Sequence, residues 1–189
     1  MVCPNLNLPT RPYPSQYISV WTAKDGTAIV IRPIRPDDEP LMVAFHEKLS
    51  DRTVYLRYLS SLNLANRTAH ERLAHICACD YVSEMVLVAE VKEPNTCERR
   101  ILAVGRLNKL ITNSEAEVAL LVADPYQRLG IGTQLLCRLI EIARQEGIHR
   151  MVAEMLPDNF DIQALFRKCG FRLCSIDQGV GEMQAVLDL

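Results

Sequence analysis

The apolar run Glu115–Val122, the amphipathic stretch after it and the strand-like run "HRMVAEML" (His149–Leu156) most limit what this chain can become. A full helix separates the two runs. Parallel pairing needs a crossover of a dozen or more residues, so the runs can lie side by side as a βαβ unit. Ile131, Leu135, Leu139 and Ile142 or Ala143 mark one helical face, and Gly147 stands where a C-terminal cap belongs. The helix is entered through "PYQRLGIGTQLL" (Pro125–Leu136), with Gly130 and Gly132 one residue apart. Glycine in a helix costs about 1 kcal/mol relative to alanine, so the pair implies that something approaches the backbone there.

The remaining sequence surrounds that unit with short strands. Residues 1–17 carry four prolines and little periodicity, which predicts an extension running over the surface; residues 18–189 then form one domain. A strand from Ile18, the turn Lys24-Asp25-Gly26 and a strand over Thr27–Ile34 come first. Asp37 is the expected cap of a helix with Leu41, Phe45 and Leu49 on one face, and further helices are expected to begin near Ser50 and Thr68. Runs at Glu84–Val91, Arg99–Ile111 and Glu115–Val122, with turns at Pro94–Thr96 and Asn113-Ser114, read as an antiparallel meander. Pro157-Asp158-Asn159 opens a short helix closed by Gly170, and "FRLCSI" and "EMQAVLDL" supply a final hairpin. The fold class is therefore α/β (α+β): a mixed, mostly antiparallel sheet of six to seven strands with one parallel βαβ unit and flanking helices.

Composition excludes several functions. At 189 residues the chain suits one domain with a core of its own. A net charge of -2 lacks the basic excess that neutralises phosphate backbones, so no nucleic-acid partner is expected. The longest apolar run, Val118–Ala123, is far short of the roughly 20 residues that cross a bilayer, and no basic-then-apolar leader opens the chain, so a cytoplasmic protein is expected. Seven cysteines without C-x-x-C spacing suggest neither a disulfide framework nor a zinc site; His75, Cys77 and Cys79 read as core thiols beside a helix end, and no metal is expected.

A helix N-terminus leaves about four N–H groups unpaired and carries roughly half a positive charge, so the natural guest of the glycine loop is a phosphate or pyrophosphate. A Walker A loop fails on spacing and on the missing lysine, and a dinucleotide fingerprint fails because Leu135 stands where its third glycine belongs. What remains is Gln127-x-x-Gly130-x-Gly132 after a strand. This loop resembles the pyrophosphate loop of the GNAT superfamily of acetyltransferases. "LPDNFDIQALFRKCGF", with Asn159 before a helix ending in Lys168-Cys169-Gly170-Phe171, resembles the later motif of that superfamily. "IRPIRPDDEPLM", "VYLRY" and "AHERL" resemble more narrowly the GNAT domain of bacterial Pat-type protein lysine acetyltransferases, which also occurs fused to ADP-forming acyl-CoA synthetase modules. The likeness covers about nine tenths of the chain, and those synthetase modules are missing from it.

The resemblance implies acetyl-CoA as cosubstrate and transfer of its acetyl group to protein lysine ε-amines. Strand alternation places Glu115 and Glu117 on one face and does not choose between them. The Pat-type A-E-x-A pattern, matched by Ala116-Glu117-Val118-Ala119, implies Glu117 as general base. It also implies a bulged strand splayed from its parallel neighbour, with the backbones of Val122 and Ala123 facing pantetheine and the thioester oxygen. Gln127, Arg128, Leu129, Gly130, Ile131, Gly132 and Thr133 would hold the pyrophosphate, with Asn159 and Phe166 completing the cofactor site. Many GNAT enzymes carry a tyrosine at the Phe166 position as acid for the leaving thiolate; phenylalanine donates no proton, and Cys169 is an alternative donor that also suits the core. Implied partners are a protein with an exposed lysine, an acyl-CoA synthetase among them, and a monomer or homodimer is expected. A small-amine acceptor and a non-catalytic acyl-CoA sensor remain as alternatives.

Overall fold

The computed structural model describes residues 11–93, 98–110, 114–176 and 182–189. The expected turn at Pro94–Thr96, Asn113 of the next turn, Cys3, Cys97 and the first ten residues of the extension lie outside them. Residues 11–17 run over the surface: Arg11 pairs with Glu146 at 2.6 Å, and the Tyr13 hydroxyl donates to the Pro33 carbonyl.

Among the described residues eight strands form one sheet: β1 (Ser19–Thr22), β2 (Ala28–Pro33), β3 (Glu84–Lys92), β4 (Arg99–Lys109), β5 (Glu115–Val122), β6 (Arg150–Met155), β7 (Arg172–Ser175) and β8 (Met183–Asp188). Their order is β1-β2-β3-β4-β5-β6-β8-β7, and β5–β6 is the parallel pair. The sheet exceeds the expected six to seven strands because both arms of the last hairpin pair into it: β8 takes the free edge of β6, and β7 adds to β8. β3 is buried along its length up to Lys92, as a strand covered on both faces must be.

The α-helices among the described residues flank the sheet: α1 (Glu39–Glu47), α2 (Asp51–Tyr58), α3 (Leu64–Arg67), α4 (His70–Cys77), α5 (Ile131–Gln145) and α6 (Phe160–Lys168). Ser50 caps α2 as expected, its Oγ accepting from the Thr53 N–H. The expected side-chain cap at Asp37 is corrected: Asp38 stands at the start of α1 without a side-chain cap bond to it, and its carboxylate accepts the Arg35 N–H at 2.8 Å across the 3-10 turn Pro36–Asp38. Asp38 is buried with Arg32, which also binds Glu90, so this acid is needed inside rather than at the surface. The helix expected near Thr68 is α4, preceded by the single turn α3. No described helix is long and apolar enough to cross a membrane.

The β4–β5 register is unbroken from Ala103↔Val122 to Lys109↔Ala116. The bulge expected in β5 is therefore absent; the irregularity lies one strand over, where β3 pairs Ala89 with Ala103 and Glu90 with Ile101, skipping Leu102. The expected splay is present: β5 and β6 pair only from Glu115↔Arg150 to Glu117↔Val152. Beyond Glu117 the two strands are no longer paired.

Candidate active site

The cleft opens where β5 and β6 part. Its volume is about 880 Å³, within the range of roughly 300–1,000 Å³ typical of small-molecule sites. Its walls are the free half of β5, the end of β6, the start of α6, the glycine loop and one face of α2. At one end lies the exposed carboxylate of Glu117, at the last paired position of β5; at the other lies the loop Gln127–Thr133.

The loop leaves its amides open for a physical reason. Arg128 (φ +64) and Gly130 (φ +93) are both left-handed, which turns successive N–H groups to one side. The first helical bond of α5 runs from the Gln134 N–H to the Gly130 carbonyl, so the N–H groups of Ile131, Gly132 and Thr133 precede the helical ladder. Open N–H groups at a helix start are the geometry that can accept an anion. The two glycines serve different ends. Gly130 supplies a conformation that side chains resist, facing the Trp21 ring. A Cβ on Gly132 would lie 3.0 Å from Leu165 Cδ1 and 3.5 Å from Val122 Cγ2, so this glycine seats α5 against α6 and β5.

Of the residues singled out in the sequence, Glu117, Val122, Gln127, Arg128, Gly130, Gly132, Thr133, Asn159 and Phe166 line the cleft. Ala123, Leu129 and Ile131 do not. Ile131 points into the core at 1% exposure. The expectation that Ala123 offers its N–H to the cleft is corrected: that N–H donates to the Leu102 carbonyl at 2.9 Å. Register explains why. Odd-numbered residues of β5 turn their main-chain groups toward β4, while Ser114, two residues before Ala116, accepts from β6 through its carbonyl. Leu120 and Val122 share the even parity and face the gap.

Gln127 is tied within the protein, its Nε2 donating to the Val122 carbonyl at 3.1 Å and to Thr53 Oγ1 at 3.3 Å. Asn159 caps α6 by accepting weakly from the Ile162 N–H. Phe166 is buried edge-on against Phe171, with ring centroids 4.7 Å apart. Cys169 does not line the cleft, and burial beside Cys137 pushes its thiol up to about 11. Cys77 and Cys79 pack in the core, their thiols pushed up by burial to about 12 and about 11.

Sequence reading missed Trp21, Lys24, Thr53, Arg57 and Tyr126, which also line the cleft. Thr53 and Arg57 stand four residues apart on α2, a spacing that could have placed them on one face. Asp124 fixes that helix to the loop: its carboxylate accepts from the Ser50 N–H and Oγ and from Thr53 Oγ1. Partial burial acts to raise the Asp124 carboxyl, but these bonds hold it below its usual range. Trp21, near the end of β1, and Lys24, on the β1–β2 turn, lie at the same end of the sheet as the loop.

An acetyltransferase (GNAT) domain model matches residues 28–172. An acetyltransferase of Pseudomonas aeruginosa is 32% identical over 152 residues, covering 80% of this chain and 79% of that protein. Acetyltransferase Pat of Mycolicibacterium smegmatis is 27% identical over 159 residues, 83% of this chain; the match spans only 45% of that longer protein. The crystal structure of the GNAT domain of S. lividans Pat superposes with a TM-score of 0.84 at 27% identity, covering 94% of this chain and all of that domain. The splayed sheet, the open amides and these likenesses agree: the chain belongs to the GNAT family of acetyltransferases.

Proposed function

We propose that the cleft binds acetyl-CoA and passes its acetyl group to lysine ε-amines of a protein substrate, with residues 18–189 as the working unit and residues 1–17 as an extension. The carrying observation is the placement of an exposed carboxylate and an anion cradle at opposite ends of one cleft. The cosubstrate's diphosphate would lie against the amides of Arg128–Thr133. Its pantetheine arm would follow the unpaired edge of β5, with the main chain of Leu120 and Val122 as the groups able to bond it.

A lysine with pKa about 10.4 is neutral about 0.04% of the time at pH 7, so deprotonation costs about 4.6 kcal/mol. Glu117 addresses that cost as the general base, accepting the ammonium proton directly or through water. The neutral nitrogen then attacks the thioester carbon, the carbon–sulfur bond breaks, and coenzyme A leaves as its thiolate. A β5 N–H of even parity is the candidate donor to the carbonyl oxygen as charge gathers there. Phe166 donates no proton, so solvent is assigned that role for the thiolate.

The Pat-like relatives support a protein acceptor, and an acyl-CoA synthetase is the first candidate to try. The test is incubation of wild type and Glu117→Gln with labelled acetyl-CoA and a bacterial protein extract. Label on protein lysines, reduced about 100-fold in the variant while acetyl-CoA still binds, is the expected result. Label confined to small amines would reject the acceptor, and equal turnover by the variant would reject the base.

A further inference from the structure

Behind the Glu117 end of the cleft lies a second, smaller cavity of about 60 Å³, between α1, α2, α4 and the sheet. It shares Arg57, Ala119 and Leu121 with the cleft. Three guanidinium side chains, Arg57, Arg72 and Arg106, line it together with His46, and no carboxylate does. Arg106 is matched by Glu84 at 2.5 Å. Arg57 and Arg72 have no carboxylate within 4 Å among the described residues; each lies over the Tyr58 ring instead, at 5.1 and 4.9 Å.

His46 is 1% exposed, and its Nδ1 has no hydrogen-bond partner among the described residues. Arg106 Nε is likewise buried without one. Buried polar atoms in native proteins are nearly always satisfied, so such atoms lining a cationic hollow ask for an acceptor. A water needs about 10–15 Å³ of such space, so 60 Å³ admits a carboxylate or phosphate group. Burial pushes Arg57 below its usual range, with Glu117 acting the other way, and desolvation with Arg72 and Arg67 presses His46 down to about 4. Both directions are those of a chamber that is positive and poorly hydrated.

We propose that this chamber is an oxyanion subsite for the acceptor, in which Arg57, Arg72 and His46 Nδ1 hold an anionic group carried next to the amine that Glu117 deprotonates. The proposal rests on the assignment of the Glu117 end as the acceptor end. The acceptors favoured are amines with a carboxylate or phosphate nearby: a lysine with a neighbouring acidic or phosphorylated residue, or a small anionic amine. Arg57, on the shared wall, meets the anion first. Neutralising it there also lessens the repulsion between Arg57 and an approaching ammonium.

Two measurements test this. In the first, the His46 ring resonances are followed while inorganic phosphate is added, with saturating coenzyme A filling the diphosphate cradle. Phosphate should shift them in wild type and not in Arg57→Gln. In the second, kcat/KM is compared for matched acceptors: a lysine peptide with a neighbouring Glu against Gln, and 6-aminohexanoate against its amide. Wild type should favour the anionic member about tenfold or more, the scale of one hydrogen bond to a charged group. Arg57→Gln should bring that ratio near one and Arg57→Lys should restore part of it, with coenzyme A binding as the check on folding. An unmoved His46, or a ratio that survives in Arg57→Gln, overturns the subsite. Phosphate binding without acceptor preference overturns its assignment to the acceptor. If only 6-aminohexanoate is used, with the ratio intact, the protein-lysine reading falls and the subsite stands; if nothing is acetylated, the His46 shift alone decides.

Discussion

Gly130→Ala and Gly132→Ala are expected to differ sharply, the first damaging and the second nearly neutral, although both change one hydrogen to a methyl in the same loop. At Gly130 the new Cβ has room, 3.4 Å from the Trp21 ring, but φ is +93. Holding an L-residue there costs about 1–2 kcal/mol. For a chain of this size, 1 kcal/mol lowers Tm by about 2–4 °C, so the expected loss is about 2–8 °C. Relaxing φ would turn the amides of the loop away from their common side, and acetyl-CoA should bind about tenfold more weakly, the scale of one hydrogen bond to a charged group.

Gly132 lies in α5 with ordinary φ, where alanine gains about 1 kcal/mol of helix propensity. Its Cβ would press on Leu165 Cδ1 at 3.0 Å, the movable end of a side chain. The two effects nearly offset, and the methyl points at Leu165 and Val122 rather than along the free amides. Stability should change by less than about 1 kcal/mol and acetyl-CoA affinity by less than about threefold. Differential scanning fluorimetry and calorimetry with acetyl-CoA measure both. A Gly132→Ala protein that melts lower and binds more weakly than Gly130→Ala would refute this division of roles.

Other expectations follow from the same contacts. Glu115→Gln should leave kcat/KM within about twofold, because Glu115 is taken up at 3.2 Å by Arg150 in an exposed pair worth less than about 1 kcal/mol; parallel assays with Glu117→Gln would show it. Asp38→Ala should cost about 3–5 kcal/mol by urea unfolding, since it strips a buried arginine of a two-pronged partner. Asp124→Ala releases the N-terminus of α2 from the loop and should raise KM for the acceptor more than for acetyl-CoA, as steady-state titration of each would reveal. His46 is held neutral when folded, so the unfolded chain binds the extra proton: stability is full above pH 6.5 and falls as pH drops toward about 4, by about 3 kcal/mol. Urea midpoints of wild type against His46→Gln across that window should show the slope in wild type only.

The sequence displayed most of the architecture because its signals are local and repeated. The face Ile131, Leu135, Leu139 and the cap at Gly147, whose N–H bonds the Arg144 carbonyl, both name α5. Asn159 and Gly170 likewise bracket α6. What sequence did not disclose depends on partners far along the chain. Asp37 alone reads as the cap, and only the arrival of Arg32 shows that its neighbour Asp38 is the acid drawn inside. Trp21 and Lys24 read as parts of an ordinary hairpin, since only the folded sheet shows that this hairpin's turn shares an end with the glycine loop and that Trp21 meets Gly130. Arg57 stands in the sequence only as part of "VYLRY", and nothing local tells that it is half-buried between α2 and the sheet.

Ala123 shows how one residue of register divides the chemistry of β5. Pairing with β4 from Ala103↔Val122 downward turns the main chain of odd positions inward to the sheet. The same alternation sends the side chains of Ala119 and Leu121 toward α2 and the arginine chamber, that of Glu117 into the cleft from the same face, and that of Val122 toward α5. A strand two residues from its splay point can thus offer a carboxylate on one face and bare amides along its edge without either competing for the other's space. Shifting the register by one would carry Glu117 to the α5 side and turn Ala123 to the gap, exchanging both functions at once. The unbroken β4–β5 ladder holds that register, and the irregularity lies instead between β3 and β4, where Leu102 is skipped, leaving β5 regular up to the loop.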